Sequence, residues 1–441
     1  MTTHGQRVLR GLPIQGLRTF TARFGHGYWT FFSAAFCMDL GFGLFIFLFN
    51  LYLTDLHFDE RVIGRIMACF TLGNVAGTIP GMLMTRRYGL RAMLLFTFCL
   101  APILSVLRIF FLEPHAQLTL AFLTGAMLCG WPICFSPVIA QVTRDDNRAA
   151  GFSLAFAAGI GLGSLSGIAG GYVPELLHFS ALHLSLINGI RFVLVLACAT
   201  VAFGILPLTR LALRHHLSEQ YKSTRIIHPF LLRFLPAFVI WNIVTGSFPV
   251  FGAIYLQKVL GIPLGGLGAV FAGSQLAQFT AVLCAPVLLK RFGNANGIAM
   301  AQLSTAFFLV LIATTRFMPA AVCFYLLYFA TQFMCGPGIY QMLMERVPEG
   351  ERSTASALQN LSGALCQAGT AAITGACIVA YSYRVVLIGD ACVAIAAALL
   401  FVLLGTHIRN ADDDCRSCDL PSPTLLVLPK SADLAAQKAV K

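Results

Sequence analysis

Twelve stretches of this chain stay apolar for longer than a helix buried in a soluble core requires. They run near residues 30–53, 63–84, 92–112, 117–140, 150–172, 190–208, 231–257, 264–290, 295–314, 319–344, 354–380 and 385–406. Crossing the hydrocarbon core of a bilayer takes about 20 consecutive apolar residues in a helix. No water is available there, so every backbone N–H and C=O must be satisfied internally, and only helices and closed barrels can span. The runs are unbroken and do not alternate with period two, which excludes an outer-membrane barrel. With 58% of its 441 residues hydrophobic and 11% charged, the chain has too little polar surface to cover a water-facing globule. The expected fold is an all-α polytopic membrane protein with twelve transmembrane helices.

The 30 Lys and Arg against 18 Asp and Glu could point to nucleic acid, but their placement argues for topology instead. With both termini in the cytoplasm, 23 of the 30 basic residues fall on the cytoplasmic side. The other seven (Arg61, Arg65, Arg108, Arg191, Lys258, Arg316 and Arg384) lie outside or near outer helix ends. The positive-inside rule therefore places the N and C termini inside a plasma (inner) membrane, and no nucleic-acid partner is expected. Residues 1–29 form a basic cytoplasmic segment with no signal-peptide core, and 407–441 read as a disordered cytoplasmic tail. Of 14 Cys, twelve sit within apolar spans as small hydrophobes. Cys415 and Cys418 form a lone C-x-x-C in the tail, without a second pair or a His, so no metal or other cofactor is expected.

The chain also repeats itself. Ile63-Gly64 … Ala68 … Leu72 … Arg87-Tyr88-Gly89 returns 204 residues later as Leu267-Gly268 … Ala272 … Leu276 … Arg291-Phe292-Gly293. The same offset relates Arg148 to Arg352, Gly159 to Gly363 and Gly171 to Gly375. Asp39-x3-Gly43-x8-Tyr52 returns as Asn242-x3-Gly246-x8-Tyr255, and Ser136-Pro137 … Gln141 as Gly336-Pro337 … Gln341. Several segments in one order at nearly one offset are an internal duplication. Two six-helix units that both start in the cytoplasm are parallel repeats, here 30–208 and 231–406, joined by a basic cytoplasmic linker at 209–230. Such a pair forms a cleft where its halves meet, and rocking exposes that cleft to each side in turn.

These residues resemble the major facilitator superfamily over roughly 30–406. The loop Gly81 … Arg86-Arg87-Tyr88-Gly89-Leu90-Arg91 is similar to that family's cytoplasmic loop Gly-x-x-x-Asp-Arg-x-Gly-x-Arg/Lys, with Arg86 where the family has Asp. Lys290-Arg291-Phe292-Gly293 is its degenerate second copy. The resemblance implies a cytoplasmic gate built from Arg86, Arg87, Gly89, Arg91, Lys290, Arg291 and Gly293; ordinary positive-inside anchoring is the alternative. The glycines of the fifth span, Gly159 to Gly171, are similar to an antiporter motif but lack its Pro, and read first as helix packing. Ala126 stands where drug–proton antiporters place an Arg.

Two acids fall inside spans. Asp39 lies about 15 Å into the first helix at 1.5 Å per residue. A carboxylate at that depth costs on the order of 2.5–3.5 kcal/mol. Protonation relieves the cost, which suits a proton-coupling group; permanent pairing or the capping of a kink is the alternative. Asp39, Gly43 and Asn50 share one face. The resemblance implies that spans one, four, seven and ten line the cleft, so Asp39 should look into it with Asn242 opposite. Asp390, on the twelfth span, is a second coupling candidate, better suited to an interhelical hydrogen bond. Cavity candidates are Asn50, Trp131, Gln141, Asn242, Gln332, Tyr340 and Gln341. Arg65, Arg108 and Arg191 should snorkel to the surface; for Arg108 or Arg65 the alternative is to pair with a substrate anion.

The expected function is secondary active transport of a small molecule by alternating access, coupled to H+, in a monomer that needs only the bilayer and its substrate. A gradient-independent lipid or amphiphile translocator of the same fold is the alternative. No phosphate loop, His-Glu-x-x-His or Gly-x-Ser-x-Gly is present, and all ten His lie in tails, loops or span ends, which argues against a membrane enzyme. A receptor does not need two parallel units.

Overall fold

A computed structural model describes residues 24–144, 147–179, 185–213, 229–348 and 352–418. The apolar runs are twelve helices long and apolar enough to cross a membrane: α1 His26–Asp55, α2 Glu60–Tyr88, α3 Leu90–Phe110, α4 Pro114–Val142, α5 Gly151–Phe179, α6 Leu186–Arg210, α7 Phe230–Lys258, α8 Leu264–Phe292, α9 Asn294–Thr314, α10 Met318–Arg346, α11 Ala355–Ala380 and α12 Tyr383–His407. Among the described residues there is no strand. The helix begun by α12 runs on to Cys418, into the segment expected to be a disordered tail. The N-terminal segment before residue 24, most of the linker and the chain after 418 lie outside the described residues. The side carrying the 86–91 loop is here the basic face, and the opposite side the far face.

Local chemistry sets the helix ends. Asp59 caps α2 by accepting from the Val62 amide at 2.9 Å. Glu113 caps α4 from the Ala116 amide at 2.7 Å, with Pro114 starting the helix where no amide partner is needed. That amide contact holds the exposed Glu113 carboxyl below the usual carboxylate range. The α2–α3 and α8–α9 turns need positive φ, which Gly89 (87°) and Gly293 (82°) supply. Three spans are interrupted: α4 at Cys129, α6 at Gly204 and α7 at Ser247, where Pro249 sits in the first turn of the distal piece Phe248–Lys258.

The sequence repeat becomes a repeat of contacts. Tyr52 Oη donates to the Ile109 carbonyl at 3.0 Å, and Tyr255 Oη to the Ile312 carbonyl at 3.1 Å, tying α1 to α3 and α7 to α9. Between the two six-helix sets, α2 packs on α11 and α5 on α8. A Cβ at Gly64 would overlap the Ala371 carbonyl, and one at Gly268 the Gly167 carbonyl. Gly375 meets the Glu60 carbonyl as Gly171 meets that of Leu264. Lipid is as apolar as a Leu side chain, so helices there are held by close packing, which small residues permit. All four contacts lie in the far half of the molecule.

Gly268→Ala should therefore destabilise the protein by about 1–3 kcal/mol through overpacking. Gly161→Ala, on helix α5 but exposed and with nothing near its added carbon, should not. Melting of the detergent-purified variants checks this, and equal melting temperatures would show that the seam is not tight.

Candidate functional site

A cavity of about 330 Å³ lies where the two sets meet. Its wall draws Phe42, Phe45, Phe49 and Asn50 from α1, Phe70 from α2, Arg108 from α3 and Thr124 from α4. From the other set come Val250 and Ala253 of distal α7, Phe271, Gln275 and Gln278 of α8, and Tyr325 and Phe329 of α10. The wall is mostly apolar and rich in aromatic rings, and among the described residues no Asp or Glu lines it.

Among the described residues Arg108 is the one cation in that wall, and it does not snorkel as expected. It is 1% exposed, with its guanidinium 4.3 Å from the Phe49 ring centroid and 5.7 Å from that of Phe45. The two rings stack on each other at 4.8 Å, presenting a continuous π surface beneath the charge. A desolvated cation–π contact is worth about 2 kcal/mol. That is less than the several kcal/mol it takes to bury an ion, and Nε and Nη2 meet no acceptor. Arg191, by contrast, donates from Nε to Tyr52 Oη at 2.6 Å, and Arg65 is exposed.

The far end of the cavity is closed by polar contacts between the sets. Lys258 Nζ sits 2.8 Å from Glu60 Oε1, and Tyr383 Oη donates to the same oxygen at 3.0 Å. Gln257 donates to Asp55 Oδ1 at 2.9 Å, Asn50 to the Val250 carbonyl at 3.4 Å, and the Gly265 amide to Glu175 Oε1 at 2.8 Å. None of these residues except Asn50 stood out in the sequence, where each reads as an ordinary charge or amide near a helix end.

Asp39 lies a turn below Phe42 on the basic side and does not line the cavity, contrary to expectation. Its face of α1 packs on α5: a Cβ at Gly43 would sit 2.7 Å from Ser166 Oγ, and one at Gly159 would sit 3.2 Å from Asp39 Oδ2. The carboxylate is half-buried and has no hydrogen-bond partner among the described residues. Asn242 occupies the repeat-related place, with its Oδ1 3.2 Å from where a Gly363 Cβ would be. It is 4% exposed, accepting from Gln367 Nε2 at 2.8 Å and donating to the Phe238 carbonyl at 2.8 Å. The position corresponding to Gln367 is Gly163, so the first set has no amide to offer Asp39.

Asp390 is not at the cavity either. It is 6% exposed, and its carboxylate lies beside Ser247 and the Phe248 amide at the break in α7, with Oδ2 meeting no hydrogen-bond donor. The amides left free by the interruption make the N-terminus of the distal helix a favourable place for an acid. Thr374 Oγ1 donates to Ser247 Oγ at 2.9 Å at the same break.

Of the cavity candidates, Asn50 alone reaches the wall. Trp131 is packed within the first set, with ring contacts to Phe31, Phe98 and Phe135. Gln141 is exposed near the basic end of α4, and Tyr340 (51% exposed) near that of α10. Gln341 donates to Glu345 on its own helix at 2.6 Å, and Gln332 is buried away from the wall. These spans do approach the cleft, but their polar residues sit at other heights or on other faces. In the loops expected to gate the basic face, Arg87 lies over the Tyr88 ring and Arg291 over the Phe292 ring, while Arg91 donates to the Thr209 carbonyl.

A family model described as the Major Facilitator Superfamily matches residues 31–371. Among solved structures, the nucleoside transporter NupG superposes with a TM-score of 0.71 at 13% identity, over 86% of this chain and 99% of that one. A D-xylose–proton symporter gives 0.67 at 14% identity, over 85% and 96%. A bacterial homolog of the human lysosomal transporter Spinster, in an inward-facing and occupied conformation, gives 0.68 at 12% identity, over 86% and 96%. At these identities the likeness speaks for the fold alone. No curated protein sequence matches the chain.

If the Glu60–Lys258 pair helps to hold the far face shut, Lys258→Ala should raise labelling of an engineered Ala253→Cys by an impermeant maleimide from that side. The expected gain is about two- to fivefold, matching roughly 0.5–1 kcal/mol for a partly exposed ion pair. Unchanged labelling would mean that the glycine seams alone keep it closed.

Proposed function

The chain belongs to the major facilitator superfamily, and on that footing we propose that it is a proton-coupled secondary transporter carrying a small molecule across the plasma membrane. Its basic face, with both termini, is taken as cytoplasmic. The observation that carries the reading is a cavity between two repeat-related helix sets, sealed at one end by contacts that only those sets can make. Rocking the sets apart at the α2–α11 and α5–α8 seams would break the far-face contacts and bring the basic ends together. The structure is then the inward-open member of the pair of states.

In the opposite state, Arg86, Arg87, Arg91, Lys290 and Arg291 would hold the basic face shut, with Gly89 and Gly293 setting the turns. Stacked on their neighbouring rings, Arg87 and Arg291 are at hand for that purpose.

Asp39 is the coupling residue in this reading. Support comes from the broken symmetry of the repeat: Asn242 is tied into amide hydrogen bonds, while Asp39 keeps a carboxylate with nothing to neutralise it. A membrane-embedded carboxylate of this kind is stabilised by taking a proton. It sits between the cavity and the basic face, where it can exchange that proton with the open side. Asp390 is assigned the capping of the α7 elbow instead.

Asp39→Asn should abolish uphill accumulation in proteoliposomes under an imposed pH gradient while leaving substrate exchange intact. The wild type should accumulate up to about tenfold per pH unit if one proton moves per cycle. Undiminished accumulation in the variant would remove Asp39 from the coupling role, and lipid movement indifferent to the gradient would favour an amphiphile translocator.

A further inference from the structure

We propose that the cavity is built for a small organic monoanion, a carboxylate on an apolar body, with Arg108 as its receptor. The inference rests on the transport reading, but it concerns recognition and is tested without a gradient. Arg108 is fully buried at the cavity wall and stacked on Phe49, and its Nε and Nη2 meet no acceptor and have almost no open surface, so a ligand pairs with them as the adjoining side chains give way. No acid on the wall neutralises it. A planar guanidinium pairs best with a planar oxyanion through parallel hydrogen bonds. Only a ligand that brings its own negative charge offsets the burial of this cation.

The charge count narrows the class further. One cation in the wall balances one anion; a dianion would leave a net charge in an aromatic chamber, and an ammonium would face Arg108 as a like charge. Across from α3, Gln275 and Gln278 offer neutral amides and no second charge. The rings of Phe45, Phe70, Phe271 and Phe329 provide an apolar, polarizable surround for the rest of the molecule. At about 330 Å³ the space is at the small end of the range for ligand pockets.

The test is a set of matched probes on the purified full-length protein, read by thermal stabilisation and by equilibrium binding. Benzoate and octanoate should raise the melting temperature in a saturable manner. Benzamide, benzylamine and phthalate, which change the charge and keep the ring, should not. Phenyl phosphate and inorganic phosphate separate a carboxylate site from a general oxyanion site, and stronger stabilisation by either would overturn the carboxylate assignment. Arg108→Gln should weaken benzoate binding about 10- to 100-fold, with Arg108→Lys intermediate. A merely structural Arg108 would lower the melting temperature of both variants and leave the preference for benzoate over benzamide unchanged. Should Arg108→Gln fail to fold, the comparison of benzoate with benzamide on the unaltered protein decides the matter alone. Equal stabilisation by the neutral amide, or none by either carboxylate at millimolar concentration, would overturn the proposal. Benzoate binding without uphill transport would leave the anion site standing and remove only the coupling.

Discussion

Close approach between helices of opposite sets is the constraint on which this molecule rests. In lipid nothing pushes apolar helices together, so α2 meets α11 and α5 meets α8 only where a missing Cβ lets one backbone touch another. Gly64 and Gly268 do this for one pair of repeat-related contacts, Gly375 and Gly171 for the other. The pairs stand at equivalent places in the two sets, so the seams are matched and can open or close together. Everything else in the centre of the molecule, including the size of the cavity and the register of the far-face contacts, follows from how near those four backbones come.

Duplication supplies symmetry, and function is read where symmetry fails. Tyr52 and Tyr255 keep the same bond to the same carbonyl. Asp39 and Asn242 keep the same place but not the same company, because Gln367 has Gly163 for its counterpart. The cavity wall is unequal as well: the first set contributes a guanidinium on an aromatic stack, and the second contributes amides. A transporter made of two equal halves would have no reason to bind at one end of its substrate and titrate elsewhere. On the proposed reading, this one separates the two tasks within its first half.

Much of the architecture was legible in the sequence. Span count came from run length, the two-set plan from the 204-residue offset, and the turn glycines from their repeated Arg-aromatic-Gly setting. The facing of individual helices was not legible, because spans that are apolar on all sides carry little periodic signal and lipid-facing sides look like core. That is why Gln141, Tyr340 and Gln341 were expected at the cavity and lie toward the basic ends. It is also why Arg108 read as a snorkelling cation: sequence gives its depth near a helix end but not the Phe45–Phe49 stack one helix away. Glu60 and Lys258 lie 198 residues apart, and nothing local marks either as a partner for the other. The break at Ser247 did leave a trace, a Gly-Ser two residues before Pro249 inside an apolar run.

That break gives α7 a lever arm. Its distal piece, Phe248–Lys258, contributes Val250 and Ala253 to the chamber and, one and two turns further on, Gln257 and Lys258 to the latch on the first set. In the proposed rocking, such a short rod, set off from the rest of α7 at Ser247, carries a shift at its inner end to its tip. On the proposed reading, the chamber and the latch are thereby joined through one stiff segment, so what fills the first bears on the second.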